Sequence, residues 1–249
     1  MLSRHTLSCF LCAAILAAPL VASADEPPAA LIDLDYASRY VFRGVERAGS
    51  SAQATVEFSR DQLSGGVWSS TPFENGGTRE VNLHAAYTWR PSTAVTLAAS
   101  VTQVWLDGVP GDEVKRTFET GLAATFAAIN GFTPSLAYYH DLRLRSDTTQ
   151  VGVTRSVPLT RLGAFLEIEV FAGCAEGKNW RPDASGAWRQ DGYDYWGGAV
   201  RLPYRIGLHS TVIGGLHYAD ACGRSTVNGP FGGSGRHNLW ITLGVNLDF

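Results

Sequence analysis

The chain has 249 residues, of which 45% are hydrophobic and 17% charged, and its formal net charge is −3 at pH 7. This balance excludes a polybasic surface of the kind that attracts nucleic acid, so no nucleic-acid partner is expected. After Val21, no run of roughly eighteen or more apolar residues offers a transmembrane helix. A membrane protein of this sequence must therefore be a β-barrel, because only helices and closed barrels satisfy their backbone groups in lipid.

The beginning of the chain has the pattern of a secretory signal peptide. Arg4 provides a positive start, an apolar run follows over 7–21, and the small residues 22–24 form a cleavage site. We therefore predict a Sec-type signal peptide over 1–24 and an exported mature chain, a single barrel domain, over 25–249.

Twelve segments of the mature chain carry apolar residues at every second position, and clusters of Gly, Pro, Asn, Asp and Ser separate them. This alternation predicts strands with one apolar and one polar face. No segment of useful length shows helical periodicity. The predicted strands are 31–43, 50–60, 63–71, 79–90, 94–106, 116–128, 132–143, 148–157, 161–173, 192–203, 207–219 and 236–249.

The connections between the predicted strands alternate in length. Every second one has only two or three residues, whereas the others are longer, and 174–191 and 220–235 are the longest. Outer-membrane barrels have short periplasmic turns and long extracellular loops, whereas a soluble β-sandwich does not sort its connections in this way. The sequence therefore predicts an all-β, transmembrane, antiparallel up-and-down barrel of about twelve strands in a Gram-negative outer membrane, with a periplasmic amino terminus.

The last predicted strand ends on an aromatic residue. Its odd positions from Leu239 to Phe249 are apolar, and its even positions are mostly polar. A terminal Phe that closes an alternating strand resembles the signature of bacterial outer-membrane barrels, where the barrel assembly machinery recognises it. The resemblance implies contact with this machinery through Phe249 and, after insertion, with outer-membrane lipid.

A second resemblance lies in the first predicted hairpin. The run 38–45 (SRYVFRGV), followed by Gln53 and the segment 57–59, resembles the opening of the TorF-type porins. These are Gram-negative outer-membrane proteins of similar length with an S-x-Y-x-F-R-G-like motif. The resemblance implies a porin and its location, but it leaves the solute undefined.

The alternation within this motif also predicts where its side chains point. Tyr40 and Phe42 are expected to face lipid at the outer rim, while Arg39 and Arg43 face the interior. Gly44 would then let the chain turn.

The same alternation along each strand identifies the side chains that are expected to face the interior. Carboxylates and arginines are nearly equal in number among them, which predicts no steep preference between anions and cations. They predict a water-filled pore for small polar solutes; the alternative is a lumen closed by mutual ion pairs, in a structural or surface-recognition barrel. The pore-lining candidates are Asp33, Asp35, Arg39, Arg43, Glu57, His84, Glu119, Asp141, Arg143, Arg145, Glu167, Glu169 and Arg201, and Arg90, Arg161 and Asp248 share their parity.

Two cysteines remain in the mature chain, Cys174 and Cys222. Each lies at the start of one of the two longest loops, and an even pair in an exported protein suggests a disulfide. We predict that they form one. The loop 174–191 also carries Trp180 and Trp188, which suit either surface recognition or a lid over the barrel mouth.

An enzyme is the least favoured alternative. The chain has no G-x-S-x-G, no H-E-x-x-H and no phosphate-binding loop. The inward histidines are expected to be lining residues, and no catalytic residue, cofactor or metal site is predicted. The oligomeric state is left open.

Overall fold

The structure is a computed structural model, and it describes five stretches of the chain: 28–74, 77–107, 115–177, 191–223 and 237–249. The predicted signal peptide and the central parts of the two longest loops, with Trp180 and Trp188, lie outside the described residues.

The described residues form strands that follow the predicted segments closely. The main difference is at the first segment, where the strand ends at Ala37 instead of residue 43 and a short separate hairpin follows. The strands are β1 (Ala29–Ala37), β2 (Tyr40–Phe42), β3 (Val45–Ala48), β4 (Ser51–Arg60), β5 (Leu63–Pro72), β6 (Arg79–Ser92), β7 (Val95–Asp107), β8 (Arg116–Phe126), β9 (Thr133–Asp141), β10 (Ser146–Leu159), β11 (Ala164–Gly177), β12 (Asp191–Arg205), β13 (Ser210–Gly223) and β14 (Asn238–Asp248).

Twelve of these strands close into one antiparallel barrel, which confirms the predicted fold. The ring runs β1, β14, β13 and so on down to β4, and β4 pairs again with β1. At the seam, Leu31 pairs with Asp248 of β14 on one side and with Glu57 of β4 on the other. Strands β2 and β3 are outside the ring and pair only with each other.

The outer face of the barrel is apolar and uncovered. Leu34, Leu83, Leu216 and Leu243 are each between 51% and 59% exposed, although they lie in the middle of strands. In a soluble protein such side chains would be buried, so this face needs an apolar solvent such as lipid. Among the described residues, no helix is long and apolar enough to cross a membrane.

Short turns lie at the barrel end that also holds both chain termini, and most long connections lie at the other end. Two connections differ from the prediction, one in length and one in position. The 127–132 turn is longer because Ile129 and Phe132 pair as an isolated bridge instead of extending β8 and β9. The 142–145 turn has four residues, as predicted, but begins two residues earlier than the predicted 144–147, because the Asp141 carboxylate accepts hydrogen bonds from the backbone N–H groups of residues 143 and 144.

The predicted disulfide is absent, since Cys174 and Cys222 are both free. The register explains this. Asp194 of β12 pairs with Cys174 on one side and with Cys222 on the other. Two strand spacings separate the cysteines, roughly 10 Å, which is beyond the Cα separation that a disulfide can span.

We expect an arginine on the outer face to have a depth-dependent cost. Leu243→Arg, in the middle of β14, should lower the free energy of unfolding in phospholipid vesicles by about 2–4 kcal/mol, because the charge would sit in hydrocarbon. The matched control, Leu239→Arg near the end of the same strand, should cost about 0–1 kcal/mol. Equal costs in urea titrations would show that this face does not contact lipid.

Candidate functional site: a hairpin inside the barrel

The connection between β1 and β4, residues 38–50, forms an inner hairpin. Strands β2 and β3 are joined by a two-residue turn at Arg43 and Gly44, with φ of 50° and 80°. Positive φ at both positions is the type I′ geometry, which matches the twist of a tight hairpin. Gly44 adopts it without a steric cost, whereas Arg43 does so at some expense in backbone strain. The contacts of the Arg43 side chain therefore have to hold the turn in place.

The inner hairpin folds into the lumen, so the predicted outward direction of Tyr40 and Phe42 is wrong. Tyr40 is 6% exposed and its hydroxyl donates to Glu80 on the inner face of β6. Its ring packs against Trp68, also an inner-face residue, at 5.4 Å between centroids. The alternation of the first strand continues past its true end, and the aromatic rings pack inside the protein instead of against lipid.

The turn of the hairpin bridges opposite walls of the barrel. Arg43 donates two hydrogen bonds to the carboxylate of Glu119 on β8, at 2.8 and 3.0 Å. The carbonyl oxygen of Gly44 accepts a hydrogen bond from the side chain of Asn238 on β14, at 3.0 Å. Strands β8 and β14 are six positions apart in the ring of twelve, so they face each other across the lumen. Two consecutive residues thus connect diametrically opposite strands.

A hydrophobic contact fixes one side of the hairpin. Val45 packs with Tyr195 and Ala221, which are inner-face residues of β12 and β13, and all three are nearly fully buried. Phe171 packs against this cluster from β11. The backbone of Gly44 lies so close that an added Cβ would be 2.8 Å from the Cβ of Tyr195. This side of the hairpin leaves no space for a solute.

Charged hydrogen bonds fix the other side. Arg47 on β3 forms an ion pair of 2.8 Å with Glu80, which also accepts the hydroxyl of Tyr40 and the side-chain amide of Asn82. Burial raises the pKa of the Tyr40 phenol well above its usual range, so the hydroxyl remains a donor. Burial alone would lower the pKa of the Arg43 guanidinium, but the Glu119 carboxylate more than offsets this, and the pKa is raised.

A cavity of about 300 Å³ remains between the hairpin and the wall formed by β5 to β10. Its lining is mixed: Phe42, Arg43 and Arg47 contribute from the hairpin, and Tyr139 and Glu119 from the wall. The Arg43 guanidinium lies 4.7 Å from the centre of the Tyr139 ring. The free passage at this level is therefore narrow and bordered by charged and aromatic groups.

The half of the lumen nearest the chain termini, called the vestibule below, has a different lining. On β7 to β10, every inner-face residue of this half is Gly, Ala, Ser or Thr, except Pro158 at the end of β10. Such small side chains do not reach far into a twelve-stranded barrel, so they leave room for water. These residues are Thr96, Ala98, Ser100, Gly121, Ala123, Thr125, Thr133, Ser135, Ala137, Gly152, Thr154 and Ser156.

Most of the predicted lining residues lie on the inner face, in pairs that the register explains. Glu57 on β4 contacts His84 on β6 at 2.9 Å across the intervening Gly66. Arg201 on β12 is shared by two carboxylates of β11, Glu169 at 2.8 Å and Glu167 at 3.5 Å. The others on this face or reaching it are Asp33, Asp35, Arg43, Glu119 and Asp141.

Three predicted lining residues do not lie on the inner face of a strand. Arg143 and Arg145 are in the exposed turn between β9 and β10, because β9 ends at Asp141. Arg39 lies in the inner hairpin, just before β2, and pairs with Glu46 at 3.6 Å. Arg161, of the same predicted parity, is in the turn before β11. The predicted balance of charge is therefore wrong, since the arginines that would have balanced the carboxylates lie elsewhere.

Sequence analysis missed three residues of this site. Glu80 shares its parity with Asn82 and His84, so the alternation of β6 could have identified it. Trp68 was identifiable in the same way on β5. Arg47 had no such signal, because its position depends on a hairpin that turns inward.

We expect that Gly44 cannot be replaced by a larger residue without displacing the hairpin. Gly44→Val would place a β-branched residue at positive φ and against Tyr195, at costs of about 1–3 kcal/mol for the backbone and about 1–3 kcal/mol for overpacking. The matched control is Gly214→Val, where an added Cβ meets nothing within 4 Å. Thermal unfolding should distinguish the two; equal stabilities would show that the turn does not pack against β12.

No known family profile matches the chain, and neither does any curated protein sequence. Among solved structures, the barrel is similar to the KdgM porin in complex with disordered oligogalacturonate, with a TM-score of 0.55 and 8% identity over 88% of this chain and 99% of that chain. It is also similar to the NanC porin, with a TM-score of 0.52 and 10% identity over 87% of this chain and 98% of that chain. These similarities show that the chain has the fold of outer-membrane porins.

Proposed function

We propose that this protein is an outer-membrane, porin-like channel for the passive diffusion of small hydrophilic solutes. The observation that carries the proposal is the vestibule, whose small residues on β7 to β10 leave a polar, water-accessible interior. The fold shared with the KdgM and NanC porins supports it. Because the inner hairpin occupies part of the lumen and leaves a cavity of about 300 Å³ beside it, we expect the permitted solutes to be small.

The location and orientation belong to the same proposal. An apolar outer face, a predicted signal peptide over 1–24 and the resemblance of 38–45 to TorF-type porins support an outer-membrane protein with periplasmic termini. Phe249 is 64% exposed at the end of the barrel that holds the termini. This exposure is compatible with recognition by the assembly machinery before insertion.

The test is a conductance measurement on the mature protein, 25–249, in planar lipid bilayers. We expect stepwise currents above the leak of a protein-free bilayer, and swelling of proteoliposomes in small sugars but not in large ones. A heat-unfolded sample is the control. If the intact protein carries no current, the channel proposal is wrong, whether or not a variant without its inner hairpin conducts.

A second candidate, a closed barrel with a structural or surface-recognition role, is favoured by one observation. The inner hairpin connects β8 with β14 through Arg43 and Gly44, and a turn held at both walls can block the lumen completely. Currents only after removal of the hairpin would support this candidate. An enzyme remains the third candidate. Lipid hydrolysis that is lost when a single inward histidine is replaced would support it.

A further inference from the structure

The charge around the vestibule is one-sided. Asp33 and Asp35 on β1, Glu57 on β4 and Asp248 on β14 lie on the inner faces of three neighbouring strands. These four residues are called the acidic wall. The strands β14, β1, β4 and β5, which are described over their full length, carry no Lys or Arg on their inner faces. No cation on these strands balances the acidic wall.

The hydrogen bonds of the acidic wall leave most of its charge in place. Asp33 accepts a hydrogen bond from the Asn246 amide at 2.6 Å, and a neutral donor does not cancel a carboxylate charge. Glu57 contacts His84, which is charged only when it is protonated. Within the described chain, no hydrogen bond or ion pair engages the carboxylates of Asp35 and Asp248.

Three of the arginines farther from the acidic wall are engaged in ion pairs. Arg201 forms ion pairs with both Glu167 and Glu169, so these three residues together keep a net negative charge. Arg43 pairs with Glu119 and Arg47 with Glu80 at the level of the hairpin. Arg205 donates to backbone carbonyl groups of the following turn. The inner ion pairs therefore offer no surplus positive charge to the vestibule. Among the described residues, the inner cations without a carboxylate partner at this end, Arg205 on β12 and Arg90 on β6, are fewer than the four carboxylates of the acidic wall.

The wall opposite is neutral. In the ring of twelve, β9 lies six positions from β1, and β7 to β10 carry only uncharged residues on the inner face of the vestibule, namely Gly, Ala, Ser, Thr and Pro158. The field of the acidic wall thus crosses the water of the vestibule without meeting an opposite charge. Low-dielectric walls focus such a field, which raises the local concentration of cations and lowers that of anions.

From this arrangement we infer that the channel prefers small hydrated cations, such as K⁺ and short amines, over anions. The inference rests on the proposed function, since it requires that the barrel conducts. The preference is a property of the field along the vestibule, not of a fixed binding site. In keeping with this, the described residues contain no group of ligands that could hold a metal ion.

The test is the reversal potential of the mature protein in a bilayer that separates two KCl concentrations. We expect the sign that indicates K⁺ passing more readily than Cl⁻. The double variant Asp33→Asn/Asp35→Asn should lower the ratio of cation to anion permeability roughly twofold or more, because it removes half of the acidic wall. The control is Asp194→Asn, which removes a carboxylate from the outer face of β12.

Each outcome decides the inference. A reversal potential of zero or of the opposite sign, or equal ratios for the Asp33→Asn/Asp35→Asn variant and the intact protein, would overturn it while leaving the channel itself in place. If the intact protein carries no current, the same measurement is made on the variant without its inner hairpin, whose vestibule is unchanged. Absence of current from the intact protein overturns the channel, and absence of current from both overturns the preference as well.

Discussion

Replacing residues 39–48 by a short Gly-Ser linker should raise the single-channel conductance several-fold. The inner hairpin occupies the lumen between β8 and β14 and seats Val45 against Tyr195, whereas the vestibule below it is lined by small residues. Removing the hairpin therefore removes the narrowest part of the path and leaves the remainder as it was. The measurement is the current step in planar bilayers at a fixed salt concentration.

Two observations are needed to interpret this result. Circular dichroism and heat-dependent gel mobility must show that the barrel still closes without the hairpin, because β1 and β4 pair with each other directly. The matched control is the variant Arg39→Gln/Glu46→Gln, which removes only the exposed pair at the base of the hairpin. An unchanged conductance after replacement of 39–48 would show that the narrowest point lies elsewhere.

The second large effect is expected at the pair Arg43 and Glu119. Glu119→Gln leaves the Arg43 guanidinium without its carboxylate at a site where the two side chains are only 15% and 20% exposed. Loss of one partner of a fully buried pair costs about 3–5 kcal/mol, so about 2–3 kcal/mol is expected at this partly exposed site. The turn would then be held on the β14 side alone, and the current should fluctuate between levels.

A double-mutant cycle measures this interaction. The free energies of unfolding of Arg43→Met, Glu119→Gln and the double variant should be non-additive, with the double variant less destabilised than the sum of the two single variants. Breaking the exposed pair of Arg39 with Glu46 should change stability by less than about 1 kcal/mol. Additive effects at 43 and 119 would show that the ion pair does not hold the hairpin.

The barrel was predictable because its signals are local. Strands such as β4, β6 and β14 alternate apolar and polar side chains residue by residue, and this period is independent of what the strand pairs with. The alternation of short and long connections then gave the up-and-down order. Both signals can be recognised in the sequence without knowing which residues far apart in the chain are in contact.

The inner hairpin was not predictable in the same way. Its residues Tyr40 and Phe42 continue the alternation of β1, so the pattern does not show that the strand has ended. What decides their direction is the turn at Arg43 and Gly44, together with partners as distant in sequence as Glu119 and Asn238. The predicted inward direction of residues 39 and 143 was wrong for a related reason. Odd and even positions face opposite sides only within a strand, and both residues lie outside the barrel strands.

The disulfide prediction was wrong because the strand register keeps the two cysteines apart. Cys174 and Cys222 were predicted at the starts of two long loops, where a bridge is possible although their parent strands are not adjacent. The structure places both cysteines within strands, in the same row as Asp194. A pattern of alternating residues gives the order of strands, whereas it does not give the distance between two particular positions.

The seam between β1 and β14 has a consequence for how the molecule is made. Leu31 pairs with Asp248, so β1, the first barrel strand to be synthesised, cannot complete its pairing until β14, the last strand, is present. Until then the unfinished sheet has two free edges with unpaired backbone groups, which readily join other chains. Newly made protein would have to be shielded from its own copies throughout its transit, and assembly could be completed only once the whole polypeptide had arrived.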